Sequence, residues 1–532
     1  REKYSQLFPI NAVNFCLQEK DITINDIDYI GFYEKPFLKL SRVVTEHLKA
    51  YPFSLINFLD AMPAWLEDRL IIPLKIEKEL GYKGEILFIK HHLSHAASTF
   101  LVSPFQEAAI LTADGVGEYA SMTLGIGKGN NISVMKELHY PDSLGLVYAI
   151  VTAYLGFKLF AGEGKVMSLA AYGKPRYIDK FREIIKINPD GSFKLDSRYF
   201  SLNRDSKMHS AKFVKIFGPA RKPEEKLEQR HYDMAASLQQ LTEEILITIG
   251  KHLYYQTGID KLCLAGGVFL NCVANYKIIQ QTPFKEIFIQ PAAGDSGCAL
   301  GAAAYIYNSI LRKPRSFIMK HPYLGPDFSN SQIEKTLVSR DLAFKQFDHA
   351  ELTKYIAKAL AQDKIIGWFQ GKMEFGPRAL GNRSILANPC NPGMKNILNS
   401  KVKLREAFRP FAPAILEEYL EDFFQSSYPS PFMQLAVPLK KEKIEAIPSV
   451  AHIDGTARLQ SVDKNRNPVF WQLIKEFQYL TGIPVILNTS FNLKGEPIVC
   501  TPEDAIDCFR RAEMDYLVLE NYVLKKEDYS NE

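Results

Sequence analysis

Two histidines one helical turn apart are the first residues here that could do chemistry. In Lys90-His91-His92-Leu93-Ser94-His95-Ala96-Ala97 a β-rich run gives way to a helical pattern, so His91 and His95 share a face while His92 points elsewhere. Such an i, i+4 pair can chelate a divalent metal, and it can equally be a pair of surface or capping side chains. Asp114 and Asp295 favour the metal reading, because each ends a β-rich run and is followed by glycine or a small residue. Two imidazoles and two carboxylates make a mixed nitrogen and oxygen site suited to Fe, Mn or Zn.

Two glycine-bearing turns follow β-rich runs, Gly266-Gly267-Val268-Phe269-Leu270-Asn271 and Gly294-Asp295-Ser296-Gly297. Their amides could approach phosphate or ribose, although neither is a Walker A loop or a G-x-G-x-x-G, and a plain tight turn explains either one alone. Charge points to a third place. Between Lys372 and Arg409 lie eight basic residues (Lys372, Arg378, Arg383, Lys395, Lys401, Lys403, Arg405, Arg409) and two acidic ones (Glu374, Glu406), a net of +6 against +5 for the whole chain. Glycine, proline and asparagine interrupt this run, which suits arginines converging on a compact polyanion. A solvated basic face is the plain alternative, and RNA binding a weaker one because aromatic residues are sparse there. Two later blocks set polar residues in a β context: His452-Ile453-Asp454-Gly455-Thr456-Ala457-Arg458, and a strand Pro484 to Leu487 running into Asn488-Thr489-Ser490-Phe491-Asn492. The second reads as a strand-end site.

The elements that must position these residues are of α/β type. Over the first 310 residues, β-rich runs (Tyr29 to Phe32, Glu85 to Ile89, Ala108 to Ala113, Lys261 to Ala265, Glu286 to Ile289) alternate with helical patterns. Open α/β sheets bind ligands at the carboxyl ends of their strands, where Asp114, Gly266 and Asp295 fall. The stretch from Asn188 to Gln229 is polar and irregular, either an insertion acting as a lid or an ordinary surface excursion. A composition shift from Lys313-Pro314 to Leu324-Gly325-Pro326 marks a boundary, giving expected domains at 1–325 and 342–532. At 532 residues, 46% hydrophobic and 23% charged, the chain is too large for a small binding module and too apolar for global disorder. A net charge of +5 over this length does not argue for nucleic acid. The longest apolar run, Leu144 to Phe157, has 14 residues, short of the roughly 18 to 20 needed to cross a bilayer. Seven cysteines without a C-x-x-C pair fit a reducing cytoplasm.

Taken as a set, the blocks resemble those of the NodU/CmcH family of O-carbamoyltransferases. His91 to Ala97, Asp114 to Glu118, Gly162 to Ser168, Gly266 to Asn271, Trp368 to Ser384, Lys401 to Pro413, His452 to Arg458 and Asn488 to Val499 occur in family order over essentially the whole chain. The resemblance implies an N-terminal two-lobed ASKHA domain, of the actin and Hsp70 ATPase type, and a C-terminal YrdC-like α/β domain. It implies that carbamoyl phosphate and ATP, with Mg, give carbamoyl adenylate and pyrophosphate in the second domain. An acceptor hydroxyl would then take the carbamoyl group in the first. Carried over by motif, the metal ligands are His91, His95, Asp114 and Asp295, with Fe(II) first and Mn or Zn as alternatives. The nucleotide contacts are Lys165, Gly266, Gly267, Asn271, Gly294, Arg383, Lys401 and Arg405. Activation falls to Arg378, Arg409, Arg458, Asn488 and Ser490.

Two departures from the family pattern stand out. Family members begin with a strand and a His-Asp-Ser loop that handles the acceptor; nothing before Arg1 supplies it, which reads as a trimmed start, with a different acceptor chemistry as the alternative. Gly164 stands where tyrosine is common. The expected partners are carbamoyl phosphate and a small hydroxyl-bearing acceptor, with no membrane, no nucleic acid, and a homodimer left open. The competing readings are an enzyme forming threonylcarbamoyl adenylate for tRNA, which would need a broad basic surface, and a non-enzymatic ASKHA regulator, which would not need the second basic domain.

Overall fold

Apolar runs too hydrophobic for a half-exposed strand pair in the middle of a sheet, and that is where Glu107–Ala113 and Lys261–Ala265 lie, buried along nearly their whole length. In the computed structural model, which describes residues 5, 7–202 and 208–529, the chain divides into two compact units, Gln6–Met319 and Lys320–Glu532, the latter grouped with Ser5. Arg1, the abrupt start noted above, lies outside the described residues.

The first unit holds a parallel pair, β1 (Tyr29–Phe32) with β2 (Glu85–Phe88), and a five-stranded sheet. That sheet uses β3 (Glu107–Ala113), β4 (Ala120–Lys128), β5 (Asn131–His139), β8 (Lys261–Ala265) and β9 (Glu286–Ile289), in the order β5-β4-β3-β8-β9. Strands β3, β8 and β9 are mutually parallel, so Asp114, Gly266 and the turn leading to Asp295 emerge at one edge. The helix His91–Phe100 lies against this sheet and against the helix Ser296–Ala304. The two helices approach closely because Gly301 has no side chain, and a Cβ there would overlap the Ser94 carbonyl.

The polar stretch 188–229 is an excursion with its own aromatic core. It follows β6 (Ile185–Ile187), contains β7 (Phe193–Leu195) and the helix Ala211–Phe217, and buries Phe193, Phe200, Phe213 and Phe217. Phe217 packs on Phe181 with ring centroids 4.8 Å apart, so the segment is anchored and does not stand free as a lid. Residues 203–207 of it lie outside the described residues. The apolar run from Leu144 forms the buried helix Leu144–Tyr154, and among the described residues no helix is long and apolar enough to cross a membrane. All seven cysteines are free thiols.

The second unit is built on a nine-stranded sheet of β10 (Lys345–Gln346), β11 (Ile366–Phe369), β12 (Arg383–Ala387), β13 (Ala412–Leu416), β14 (Leu435–Pro438), β15 (Thr456–Val462), β16 (Val485–Ser490), β17 (Tyr516–Leu519) and β18 (Tyr522–Lys525). Its order is β10-β18-β17-β11-β12-β16-β13-β15-β14. The register decides what meets at one end. Phe369 faces Arg383, Ser384 faces Ser490, Asn488 faces Ala412, and Ala414 faces Gln460. The start of β12, the start of β13, the start of β15 and the end of β16 therefore share one edge of the sheet. The helix Asn330–Ser339, between the expected domains 1–325 and 342–532, belongs to this unit, with Arg340 paired to Asp507 at 2.5 Å.

Candidate functional site

His91 and His95 are nearly inaccessible, and each turns its Nε2 toward the same carboxylates. His91 Nε2 lies 3.0 Å from Asp114 Oδ2 and His95 Nε2 lies 3.4 Å from it, while both are 3.7 Å from Asp295 Oδ1. The four ligand atoms lie within 4.8 Å of one another. A tetrahedral ion with bonds of about 2.1 Å sets its ligand atoms about 3.4 Å apart, so the donor set fits a divalent metal. His92 instead turns its Nδ1 to Thr112 Oγ1, 2.7 Å away.

Neighbouring backbone holds the cluster in place. The buried Glu118 carboxylate accepts from the His91 amide at 3.0 Å and from the Lys35 amide at 2.8 Å, capping the helix that carries both histidines. Asp114 gives its other oxygen, Oδ1, to the Gly267 amide at 3.1 Å. Gly266, with φ of +106°, makes this possible, since a Cβ there would overlap the Ala113 carbonyl. Burial would raise the Asp114 carboxyl, but hydrogen bonds and charge from His91 and His95 hold it well below the usual range. Burial opposes a charge on His95, yet Cys298, Asp114 and Asp295 together raise it well above the ordinary imidazole value. Cys298, three residues beyond Asp295 on the same helix, forms a second buried cluster with His91 and His95. Its spacing from Asp295 was the only signal in the sequence.

Several residues expected at the nucleotide have other work. The Gly267 amide is occupied by Asp114, so this turn positions a carboxylate. Asn271 caps the helix Cys272–Gln281 through the Ala274 amide at 3.1 Å and donates to Gln239 Oε1 at 2.8 Å, which leaves its side chain engaged. A Cβ at Gly294 would come no nearer than ordinary contact with Leu270, Lys165 sits half-buried with Nζ 5.5 Å above the Phe157 ring, and Gly164, where tyrosine is common, faces open space.

In the second unit the basic run separates into cations that pack and cations that converge. Arg383 packs. It is wholly buried, donates to the carbonyls of Gln370 (2.7 Å), Asn382 (3.1 Å) and Pro326 (2.9 Å), and lies 3.5 Å over the Phe369 ring, so it is not open to a phosphate. Lys401 is exposed, 3.4 Å from Glu513 in a surface pair. Lys403 clamps the end of β16, reaching the Ser490 carbonyl at 2.7 Å and Asn492 Oδ1 at 2.6 Å. The strand read as ending at Leu487 runs on to Ser490, whose hydroxyl donates to Asn492 Oδ1 at 2.8 Å.

Lys395, Arg405, Arg409 and Arg458 converge. Arg405 donates to Asn399 Oδ1 at 2.8 Å and the Pro410 carbonyl at 3.2 Å, and rests 4.6 Å over the Phe411 ring. Burial first, then the Arg409 and Arg458 cations, push its guanidinium down to about 9, against an opposing pull from Glu406. Burial and the Arg405 cation likewise lower Lys395. Arg409 Nη1 lies 3.9 Å from Glu406 Oε2, and Arg458 faces Ala436 at the start of β15. Arg378 stands on the neighbouring loop, which is shaped by the buried Glu374: its Oε1 accepts from the amides of Leu380 (2.7 Å), Asn382 (2.9 Å) and Arg383 (3.2 Å). Asn488 donates to Gln460 Oε1 at 2.7 Å, and its own Oδ1 is buried without a partner. The structural role of Glu374 was not read from the sequence, because a glutamate in a basic run reads as a solvated counter-charge.

Comparison with known proteins matches both parts of the chain to one family. The model for the carbamoyltransferase N-terminus matches residues 1–304, and that for the carbamoyltransferase C-terminus matches residues 357–526. The chain belongs to the carbamoyltransferase family. It is 43% identical to the uncharacterized protein sll1178 of Synechocystis over 99% of this chain and 91% of that one. It is 36% identical to the nodulation protein NolNO of Sinorhizobium fredii over 100% of this chain and 76% of that one. Among solved structures, full-length HypF in its phosphate- and nucleotide-bound form matches 45% of this carbamoyltransferase and 38% of its own chain, at 15% identity and a TM-score of 0.26, a likeness too slight to carry argument.

Proposed function

We propose that this carbamoyltransferase is an ATP-dependent O-carbamoyltransferase working in two stages, activation in the Lys320–Glu532 unit and transfer in the Gln6–Met319 unit. In the first, water cleaves carbamoyl phosphate to carbamate and phosphate, and a carbamate oxygen attacks the α-phosphorus of ATP, expelling pyrophosphate and leaving carbamoyl adenylate. In the second, an acceptor hydroxyl attacks the carbamoyl carbon, losing its proton as AMP departs. On this reading the first unit is the ASKHA-type domain and the second the YrdC-like domain, with Mg accompanying ATP and free thiols suiting a reducing cytoplasm.

The observation that carries the proposal is the group of cations at one end of the nine-stranded sheet, where Arg405 and Lys395 lose affinity for their protons to burial and to their neighbours. Phosphate oxygens would offset that cost, and Arg378, Arg409 and Arg458 are the residues to bind and orient them. His91, His95, Asp114 and Asp295 would hold a divalent ion, Fe(II), Mn or Zn, which when bound polarises the mixed anhydride and stabilises departing AMP. In that unit Glu118 and the Gly266-Gly267 turn fix the direction of the ligand atoms. The test is release of pyrophosphate from ATP on addition of carbamoyl phosphate, followed by mass spectrometry for an acceptor that has gained one carbamoyl group. Pyrophosphate release that needs threonine and bicarbonate instead would move the activity to the tRNA-modifying class.

A further inference from the structure

His452 is half-buried beside the cationic cluster, and its Nε2 atom is fully buried. Its Nδ1 lies 3.0 Å from Thr456 Oγ1, and the Thr456 hydroxyl donates to Asp454 Oδ1 at 2.8 Å. With the hydroxyl proton committed to the carboxylate, Thr456 can only accept from His452, so the imidazole proton sits on Nδ1. Nε2 is then a bare lone pair, and it is buried without a partner. The ring lies beside the cationic cluster: Thr456 and Arg458 are two residues apart on β15 and share a face, and His452 bonds to the Thr456 side chain. Arg458 and Lys395 both act on the ring electrostatically. Burial, reinforced by these two cations and opposed by Asp454, lowers the imidazole to about 4 and keeps it neutral.

A neutral acceptor beside this group of cations gains nothing from phosphate oxygens, which also accept. It needs a ligand that brings an N–H. The carbamoyl group carries an amino nitrogen, and acetyl phosphate, equal in shape and charge, has a methyl group in that place. From this we infer that His452 Nε2 accepts a hydrogen bond from the carbamoyl amino group and is the residue that selects carbamoyl phosphate over other acyl phosphates. The inference rests on the activation reading above and adds to it a residue that determines specificity. The Asp454–Thr456 chain positions His452 by holding its tautomer.

The experiment measures carbamoyl-phosphate-dependent pyrophosphate release in the full chain, with acetyl phosphate and inorganic phosphate as competing inhibitors. In His452→Phe the KM for carbamoyl phosphate should rise about 10-fold to 100-fold, the loss expected when one buried acceptor is removed. The inhibition constants of acetyl phosphate and phosphate should stay within about twofold, which also reports that the variant is folded. His452→Gln, which can offer a carbonyl oxygen near the Nε2 position, should recover part of the loss, and Thr456→Val should raise KM by a smaller factor. Parallel weakening of phosphate and carbamoyl phosphate would overturn the inference, reducing His452 to a support for the arginines. A change confined to the KM for ATP would overturn it too, giving the acceptor to the adenine amino group. Wild-type protein that releases no pyrophosphate with carbamoyl phosphate, yet still binds phosphate, would instead bring down the activation reading itself.

Discussion

The two clusters differ in how they settle their own charge. In the first unit two imidazoles face two carboxylates, and Asp114 is stabilised in its charged form by the same histidines that would share a metal with it. In the second unit Lys395, Arg405, Arg409 and Arg458 crowd together with Glu406 as the nearby acid, and burial, aided by neighbouring cations, depresses Arg405 and Lys395. A cluster of the first kind has its charges opposed within itself before its ligand arrives. One of the second kind carries a cost that an anion removes, so the anion is bound strongly and the folded protein is held back from its best stability until then.

The largest expected effect divides the two clusters by function. Arg409→Ala should slow carbamoyl-phosphate-dependent adenylate formation by about 30-fold to 1,000-fold while leaving transfer from preformed carbamoyl adenylate largely intact. Asp114→Asn should do the reverse and should also lower the bound divalent metal measured in the purified protein. Equal failure of both variants with the preformed intermediate would end the division of labour.

A second contrast lies within the basic run itself. Arg383 holds three backbone carbonyls in the core, so Arg383→Met should destabilise the second unit by about 3 to 5 kcal/mol in urea unfolding. Arg405→Met removes a cation that its neighbours resist and should cost less stability while costing more phosphate affinity. If Arg405→Met proved the more destabilising, the distinction between packing and converging cations would fail.

A smaller effect reads the acceptor in the second cluster by pH. His452 falls from the ordinary imidazole value of 6.5 to about 4 on folding. Between those values the unfolded chain holds a proton that the folded chain lacks, so stability rises with pH across the window and is lost as pH falls toward 4. His452→Phe should remove about one proton's worth of that slope between pH 4 and 6.5 and leave it unchanged above 7. The smallest effect belongs to Lys401, whose partner Glu513 is equally exposed: Lys401→Ala should change stability by less than about 0.5 kcal/mol and activity by less than about twofold.

What could be read from the sequence follows from which signals are local. His91 and His95 are placed by the 3.6-residue helical period alone, and Asp114 and Asp295 by ending apolar runs, so the four could be named together from spacing and strand ends. The α/β alternation was legible for the same reason, because the period of an apolar pattern is a property of neighbouring residues. The roles within the basic run were not. Arg383, Arg405 and Lys401 look alike in sequence, and only strand register and packing bury the first against Phe369, set the second beside Arg409, and leave the third in water. Strand pairing likewise lengthened β16 to Ser490 and gave its hydroxyl to Asn492, and packing tied Gly267 and Asn271 to structural partners. A charge's work depends on its distance from other charges and from water. Chain order bounds those distances only over a helical turn or a strand pair, and tertiary contacts set the rest.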